Sequence, residues 1–204
     1  MKKMDELVWC FPACKLVSLK GLPGVSTEIN DWDIFVKDIL ESCRFQRRGD
    51  IEEDPTIKQP IPYIVVRHED KVLVYNRGNK GGEGRLADLF SIGVGGHINP
   101  DDATTDEPFE VVLSGATREL TEELTLDGTL PHHQIRFLGL LSTDDTPVNA
   151  VHFGVILEAR FKTIVGIDGS DELQRHRWVP VTKLNNYNLE SWSEMVLEEI
   201  LLKE

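Results

Sequence analysis

The period of the apolar residues changes several times along the chain, and each change marks an element. Residues 1–20 alternate loosely, which suits one or two short strands. Over residues 31–44, Ile34, Phe35, Ile39 and Leu40 recur at near-helical spacing, with Asp31 or Asp33 as the candidate cap. A polar stretch runs from Arg47 to Gln59. Residues 63–67 and 71–75 are then β-rich runs joined by His68-Glu69-Asp70, the pattern of a hairpin. Residues 78–96 hold seven of the sixteen glycines, with a strand expected over 86–94, and 97–108 read as a polar loop. The clearest helix is 109–124, where Phe109, Val112, Leu113, Ala116, Leu120 and Leu124 form one apolar stripe. Strands are expected over 135–141, 150–161 and 176–181, and a terminal amphipathic helix over 189–203. This order suggests α+β or α/β layers, with helices packed against a mixed sheet.

Composition narrows the class. A chain of 204 residues is the size of one domain, or of one domain with an appendage. With 40% hydrophobic and 28% charged residues it has the balance of a soluble globular protein. The net charge of −13 argues against general nucleic-acid binding and against an anionic membrane surface. That charge is unevenly placed: residues 1–87 carry 14 basic and 14 acidic side chains, residues 88–204 carry 8 and 21. The acidic excess is a set of solvated helix faces, a site that needs a cation, or both. The cysteines, Cys10, Cys14 and Cys43, are odd in number and lack the spacing of a common zinc site, so they read as free thiols in a reducing compartment. No apolar run approaches the ~20 residues of a membrane span, and the expected location is the cytoplasm.

The helix at 109–124 carries the candidate chemistry. At about 100° per residue, Glu119, Glu122 and Glu123 fall within an arc of about 100° along one edge of the apolar stripe. Like charges three and four residues apart cost roughly 0.2–0.5 kcal/mol per pair even when exposed, and partial burial raises that cost. Arg118 can reach Glu122, but one arginine does not neutralise three acids. A hard divalent cation such as Mg²⁺ would. Upstream, Gly93-Val94-Gly95-Gly96-His97 offers a backbone that a ligand can approach closely.

A glycine pair, an acidic loop and then Ala116-x-Arg118-Glu119-Leu120-x-Glu122-Glu123-Leu124 resemble the signature of the Nudix hydrolase superfamily, the MutT-like phosphohydrolases. That signature runs Gly, five residues, Glu, seven residues, Arg-Glu-apolar-x-Glu-Glu-x-Gly-apolar. Glu110 stands the required seven residues before Arg118. The run from Arg177-Trp178-Val179-Pro180 to Lys183-Leu184 looks like the family's closing strand and turn, and the 63–75 hairpin like its opening one. The chain departs from the pattern in two places. Thirteen residues separate Gly96 from Glu110, so the loop has an insertion of about eight, and reading forward from Gly96 puts Asp102 in the place of the first Glu. Thr125 stands where the late glycine belongs.

The resemblance implies a Nudix-like α/β/α sandwich over residues 61–204, with residues 1–60 as an N-terminal extension that adds to the sheet edge or makes a homodimer contact. It implies hydrolysis of a diphosphate linkage in a nucleoside diphosphate derivative or similar small molecule, with Mg²⁺ or Mn²⁺ and an attacking water. Glu122 and Glu123 would be metal ligands, Glu119 a ligand or the general base, and Arg118 the residue that orients Glu119. The Gly96 carbonyl would be a further ligand, with Glu110 or Asp102 supporting the site. A further carboxylate is expected from Glu172, with Asp171 as its alternative. Arg77 and Arg85, with Lys80 between them, and His97 are the candidates for substrate binding. The rival reading is a catalytically weak Nudix-like module that holds or senses a nucleotide. The full set of Glu119, Glu122 and Glu123 speaks against it, and the loop insertion speaks for it. Which diphosphate is cleaved lies in loops whose shape the sequence does not give.

Overall fold

The computed structural model describes residues 3–76, 89–124, 130, 132–164 and 174–204. The class is α+β, a mixed sheet with helices, and the described residues form two compact units. Strands β4 (Ile57–His68), β8 (His133–Ser142) and β9 (His152–Phe161) and helix α3 (Pro108–Leu124) contribute residues to each unit.

The first unit comprises residues 1–62, 96–117 and 139–156. Strand β1 (Leu7–Pro12) pairs antiparallel with β3 (Arg44–Arg47) and, through Phe11 and Pro12, with the start of β4 (Ile57–His68). The first strand expected in residues 1–20 is therefore β1, and the rest is a tight helical turn, Ala13–Leu19. The helix expected over 31–44 begins earlier and is shorter. It is α1 (Ile29–Ile34), followed by a wide π turn (Phe35–Ile39) and a tight turn (Leu40–Ser42). Its cap is Glu28, because Asp31 sits inside the first turn, where its carboxylate accepts from Ser26 Oγ at 2.6 Å. The π turn sets Phe35 and Ile39 inward and the tight turn adds Leu40: Phe35 stacks on Phe153 at 5.2 Å, and Phe11 meets Phe153 edge-on at 5.6 Å. The polar stretch after Arg47 is more ordered than its composition suggests. It holds the one-turn helix α2 (Arg48–Ile51) and the first residues of β4. Strand β2 (Gly24–Ser26) pairs with the end of β8 (His133–Ser142), and β9 (His152–Phe161) follows the short helix α4 (Pro147–Val151).

The second unit comprises residues 63–95, 118–138 and 157–204. Its strand order is β10-β5-β4-β9-β8. The expected hairpin is β4 and β5 (Lys71–Asn76), turning at Glu69, whose φ of 53° is left-handed. Strand β10 (Gln174–Pro180) pairs with β5 and ends in the turn Val181–Asn186. The strand expected over 86–94 appears, from residue 89 on, as two short pieces, β6 (Phe90–Ser91) and β7 (Gly93–Val94). Gly93 is required there, since a Cβ would lie 2.1 Å from the Tyr63 ring. The Tyr63 hydroxyl donates to Glu190 at 2.9 Å and shares a 2.7 Å hydrogen bond with Ser193. Glu190 in turn caps α5 (Ser191–Val196) through the Trp192 and Ser193 N–H groups. The terminal helix therefore starts at a glutamate tied into the sheet, and continues as a π turn, Leu197–Leu201.

The same unit buries a carboxylate. Glu158 on β9 is 1% exposed and accepts from Arg67 at 3.0 Å, Arg136 at 2.9 Å and Arg160 at 3.0 Å. Glu204 also meets Arg67 and Arg136. Burial alone pushes Glu158 upward, but the hydrogen bonds from Arg136 and Arg160 and the Arg67 charge together hold it below the ordinary carboxylate range.

Two predictions follow from this packing. Gly93→Ala is expected to destabilise the protein by about 1–3 kcal/mol by overpacking against Tyr63, and a denaturation midpoint equal to the parent's would refute it. Because the Glu158 pKa is depressed by folding, its contribution is complete above the ordinary value of 4.5 and is lost as pH falls through the lower folded value. Urea titrations across acid pH should show Glu158→Gln less stable at neutral pH by about 3–5 kcal/mol, with a flatter acid limb than the parent.

Candidate active site

The helix α3 (Pro108–Leu124) matches the expected span to within one residue. Val112, Ala116, Leu120 and Leu124 are buried, as the apolar stripe requires, and Val111 joins them. Beside that stripe the carboxylates differ in exposure: Glu119 and Glu123 are half-buried and Glu122 is exposed. Arg118 donates to Glu119 Oε1 at 2.7 Å and lies 3.3 Å from Glu122 Oε2. One planar guanidinium thus holds two of the three acids, one residue and one helical turn away. The half-buried Glu119 takes the shorter bond, and its orientation on the helix edge is fixed by it.

In the other unit, α3 begins with Phe109 edge-on to Trp32 at 4.5 Å. Glu110 is exposed, whereas Asp102 is 2% exposed. The Asp102 carboxylate accepts from the Asn99 N–H at 2.8 Å and closes the tight turn Pro100–Asp102. A Cβ on Gly115 would come within 3.3 Å of that carboxylate and 3.2 Å of Ile98, so the inserted loop is packed onto the helix. Of the two rivals for the first signature acid, Asp102 has a structural bond to its own loop.

Gly96 follows β7 and is half-buried. His97 next to it meets an unexpected neighbour: its Nε2 lies 3.2 Å from Nε2 of His152. Glu52 completes the group, and one ligand atom from each of Glu52, His97 and His152 lies within 4.8 Å of the others. Neither Glu52 nor His152 is among the candidates that the sequence singles out. Their positions are 45 and 55 residues from His97, and nothing local links them. Arg48 and Glu52 do pair, bidentately at 2.8 and 2.9 Å, and Arg47 pairs with Asp5 and Asp50. Arg77, Lys80, Arg85, Thr125, Asp171 and Glu172 lie outside the described residues.

The three thiols are free. Burial raises the Cys10 and Cys43 pKa values, which leaves both sulfurs protonated and unsuited to nucleophilic work. Among the described residues, no helix is long and apolar enough to cross a membrane.

A family model described as NUDIX domain matches residues 58–200. The chain is 35% identical over 205 residues to Protein YmaB of Bacillus subtilis (strain 168), which covers 97% of this chain and 98% of that protein. Among solved structures it is similar to Tm1382, described as a Nudix hydrolase candidate, with a TM-score of 0.76, 26% identity and coverage of 98% of this chain and 100% of that one. It shares the fold of the NUDIX domain of Shewanella oneidensis NrtR, whose structure is a complex with ADP ribose, at a TM-score of 0.54, 16% identity and coverage of 72% and 88%. With the Arg-Glu-x-x-Glu-Glu block on its helix and a family match over most of its length, the chain belongs to the Nudix family and is a Nudix-type pyrophosphohydrolase.

Proposed function

We propose that this enzyme uses Mg²⁺ or Mn²⁺ to hydrolyse the diphosphate linkage of a nucleoside diphosphate derivative. The observation that carries the reading is the helix edge, where three carboxylates lie together and one guanidinium holds two of them. Such a set of hard oxygen donors fits a divalent ion of the Mg²⁺ type, which is usually held by a few carboxylates and by substrate phosphates. Glu122 and Glu123 are the assigned ligands, with Glu119 completing the helix's share. When bound, the ion would offset the charge of the diphosphate and lower the pKa of a water.

The chain's own residues do the rest. Arg118 fixes the Glu119 carboxylate at 2.7 Å, so that Glu119 either binds the ion or accepts the proton of the attacking water. Glu172 is the alternative base, and Arg77 and Arg85 are assigned to the phosphates, where guanidinium groups form paired hydrogen bonds. His97, the other substrate candidate, groups instead with Glu52 and His152. The ADP ribose in the NrtR complex supports a nucleoside diphosphate sugar as the first class to test. The protein is expected to act in the cytoplasm, with residues 1–60 as the candidate dimer contact.

The test is phosphate release across a panel of nucleoside diphosphate derivatives, coupled to a phosphatase that acts on the products and run with Mg²⁺, Mn²⁺ or chelator. Release that stops with chelator is expected. Turnover that survives full chelation would overturn the metal-dependent reading, and nucleotide binding without any turnover would favour a binding module. Glu122→Gln and Glu123→Gln should each lower kcat/KM by about 100-fold or more with the melting temperature retained, the size expected when a ligand to a charge-stabilising ion is lost. Arg118→Ala should cost about 10–100-fold, the usual cost of losing a residue that orients a ligand. Full activity in both glutamine variants would move the site elsewhere.

A further inference from the structure

We propose that Glu52, His97 and His152 form a second metal site, for a nitrogen-preferring divalent ion of the Zn²⁺ class, distinct in chemistry from the helix carboxylates. The three residues come from separate parts of the first unit. Glu52 ends α2, His97 follows the Gly95-Gly96 pair, and His152 opens β9. Their ligand atoms converge within 4.8 Å. The two rings are tilted 59° with centroids 5.3 Å apart, so they meet edge to edge with nitrogens facing.

The protonation pattern favours metal. His152 Nδ1 lies 2.7 Å from the Val148 carbonyl oxygen, which can only accept. Nδ1 therefore carries the proton, and Nε2 presents its lone pair to the cluster. In a four-coordinate zinc site with Zn–N bonds of about 2.0–2.1 Å, neighbouring nitrogens stand about 3.3–3.4 Å apart. The observed Nε2 to Nε2 separation is 3.2 Å. Two imidazoles and a carboxylate are a donor set suited to Zn²⁺ and its neighbours rather than to Mg²⁺. Three protein ligands leave one position for water or a ligand atom.

Outer contacts hold the ligands as metal sites require. The Val148 carbonyl orients His152. Arg48 grips Glu52 through two hydrogen bonds and is itself paired with Glu6 at 2.9 Å, so these three charged groups carry a net negative charge. Ile98, beside His97, is fully buried, and its carbonyl accepts from the Trp9 N–H at 2.9 Å. A second observation points to a missing ligand. Gln59 is fully buried, and neither its amide oxygen nor its nitrogen has a hydrogen-bond partner. Its amide faces the Glu52 carboxylate without reaching hydrogen-bond geometry. Buried amides are rarely left this way, because the desolvation is uncompensated. A small movement of Glu52 onto an ion, or a water on that ion, would give Gln59 its partner.

The test uses the full chain carrying Glu122→Gln and Glu123→Gln, which silences the helix carboxylates, after removal of metal with a chelator. Titration with Co²⁺ should give one equivalent bound, with the visible absorption of a four-coordinate centre and without a thiolate charge-transfer band. Zn²⁺ should displace it. Adding His152→Gln should weaken binding by about 100-fold or more, and adding Glu52→Gln by at least about tenfold, with circular dichroism unchanged. The two variants are independent, so a folding failure in one leaves the other decisive. No binding in the Glu122→Gln, Glu123→Gln protein would overturn the proposal and reduce the cluster to a hydrogen-bonded histidine pair. Binding that survives both His152→Gln and Glu52→Gln would overturn it as well.

Discussion

A helix that buries Leu120 and Leu124 and carries Glu119, Glu122 and Glu123 along the edge of the same face must keep ionised groups at the margin of a core. Burial works against the charged form, and neighbouring carboxylates work against each other. Arg118 relieves part of this by holding Glu119 at 2.7 Å and reaching Glu122 a turn later. Three carboxylates on one helix edge are the oxygen-donor set on which the proposed divalent-ion site rests.

The second unit, to which that edge belongs, meets a related problem with cations of its own chain. Glu158 is more deeply buried than any of the helix acids, and it is surrounded by Arg67, Arg136 and Arg160. There the cations are built into the chain, so the carboxylate stays ionised and becomes a structural fixture. On the helix edge one guanidinium serves two carboxylates, whereas Glu158 alone draws on three.

The Glu52, His97 and His152 group extends the same logic to softer donors. Its members are oriented by Arg48 and by a backbone carbonyl, and a buried amide beside it lacks a partner. Glycines and turns do comparable work for the backbone. Gly93 lets β7 lie against the Tyr63 ring, and the Asp102 turn packs the inserted loop against Gly115. The insertion thus has its own internal bond and its own contact on the helix.

The sequence by itself determined the helix, the hairpin and the family. Each is written in local spacing: the 3.6-residue stripe from Val112 to Leu124, the alternation on either side of Glu69, and the Arg-Glu-x-x-Glu-Glu block. The Arg118 to Glu122 contact is legible for the same reason, since it spans one helical turn, whereas the Arg118 to Glu119 pairing followed from the family resemblance. Tertiary structure decided what depends on residues far apart in the chain. It broke the helix expected over 31–44 at a π turn so that Phe35 could stack on Phe153. It gave order to the polar stretch after Arg47 by pairing Arg48 with Glu6 and Glu52 and Lys58 with Phe11. It brought together Glu52, His97 and His152, which no period or motif connects, because convergence of that kind is a property of the folded backbone rather than of spacing.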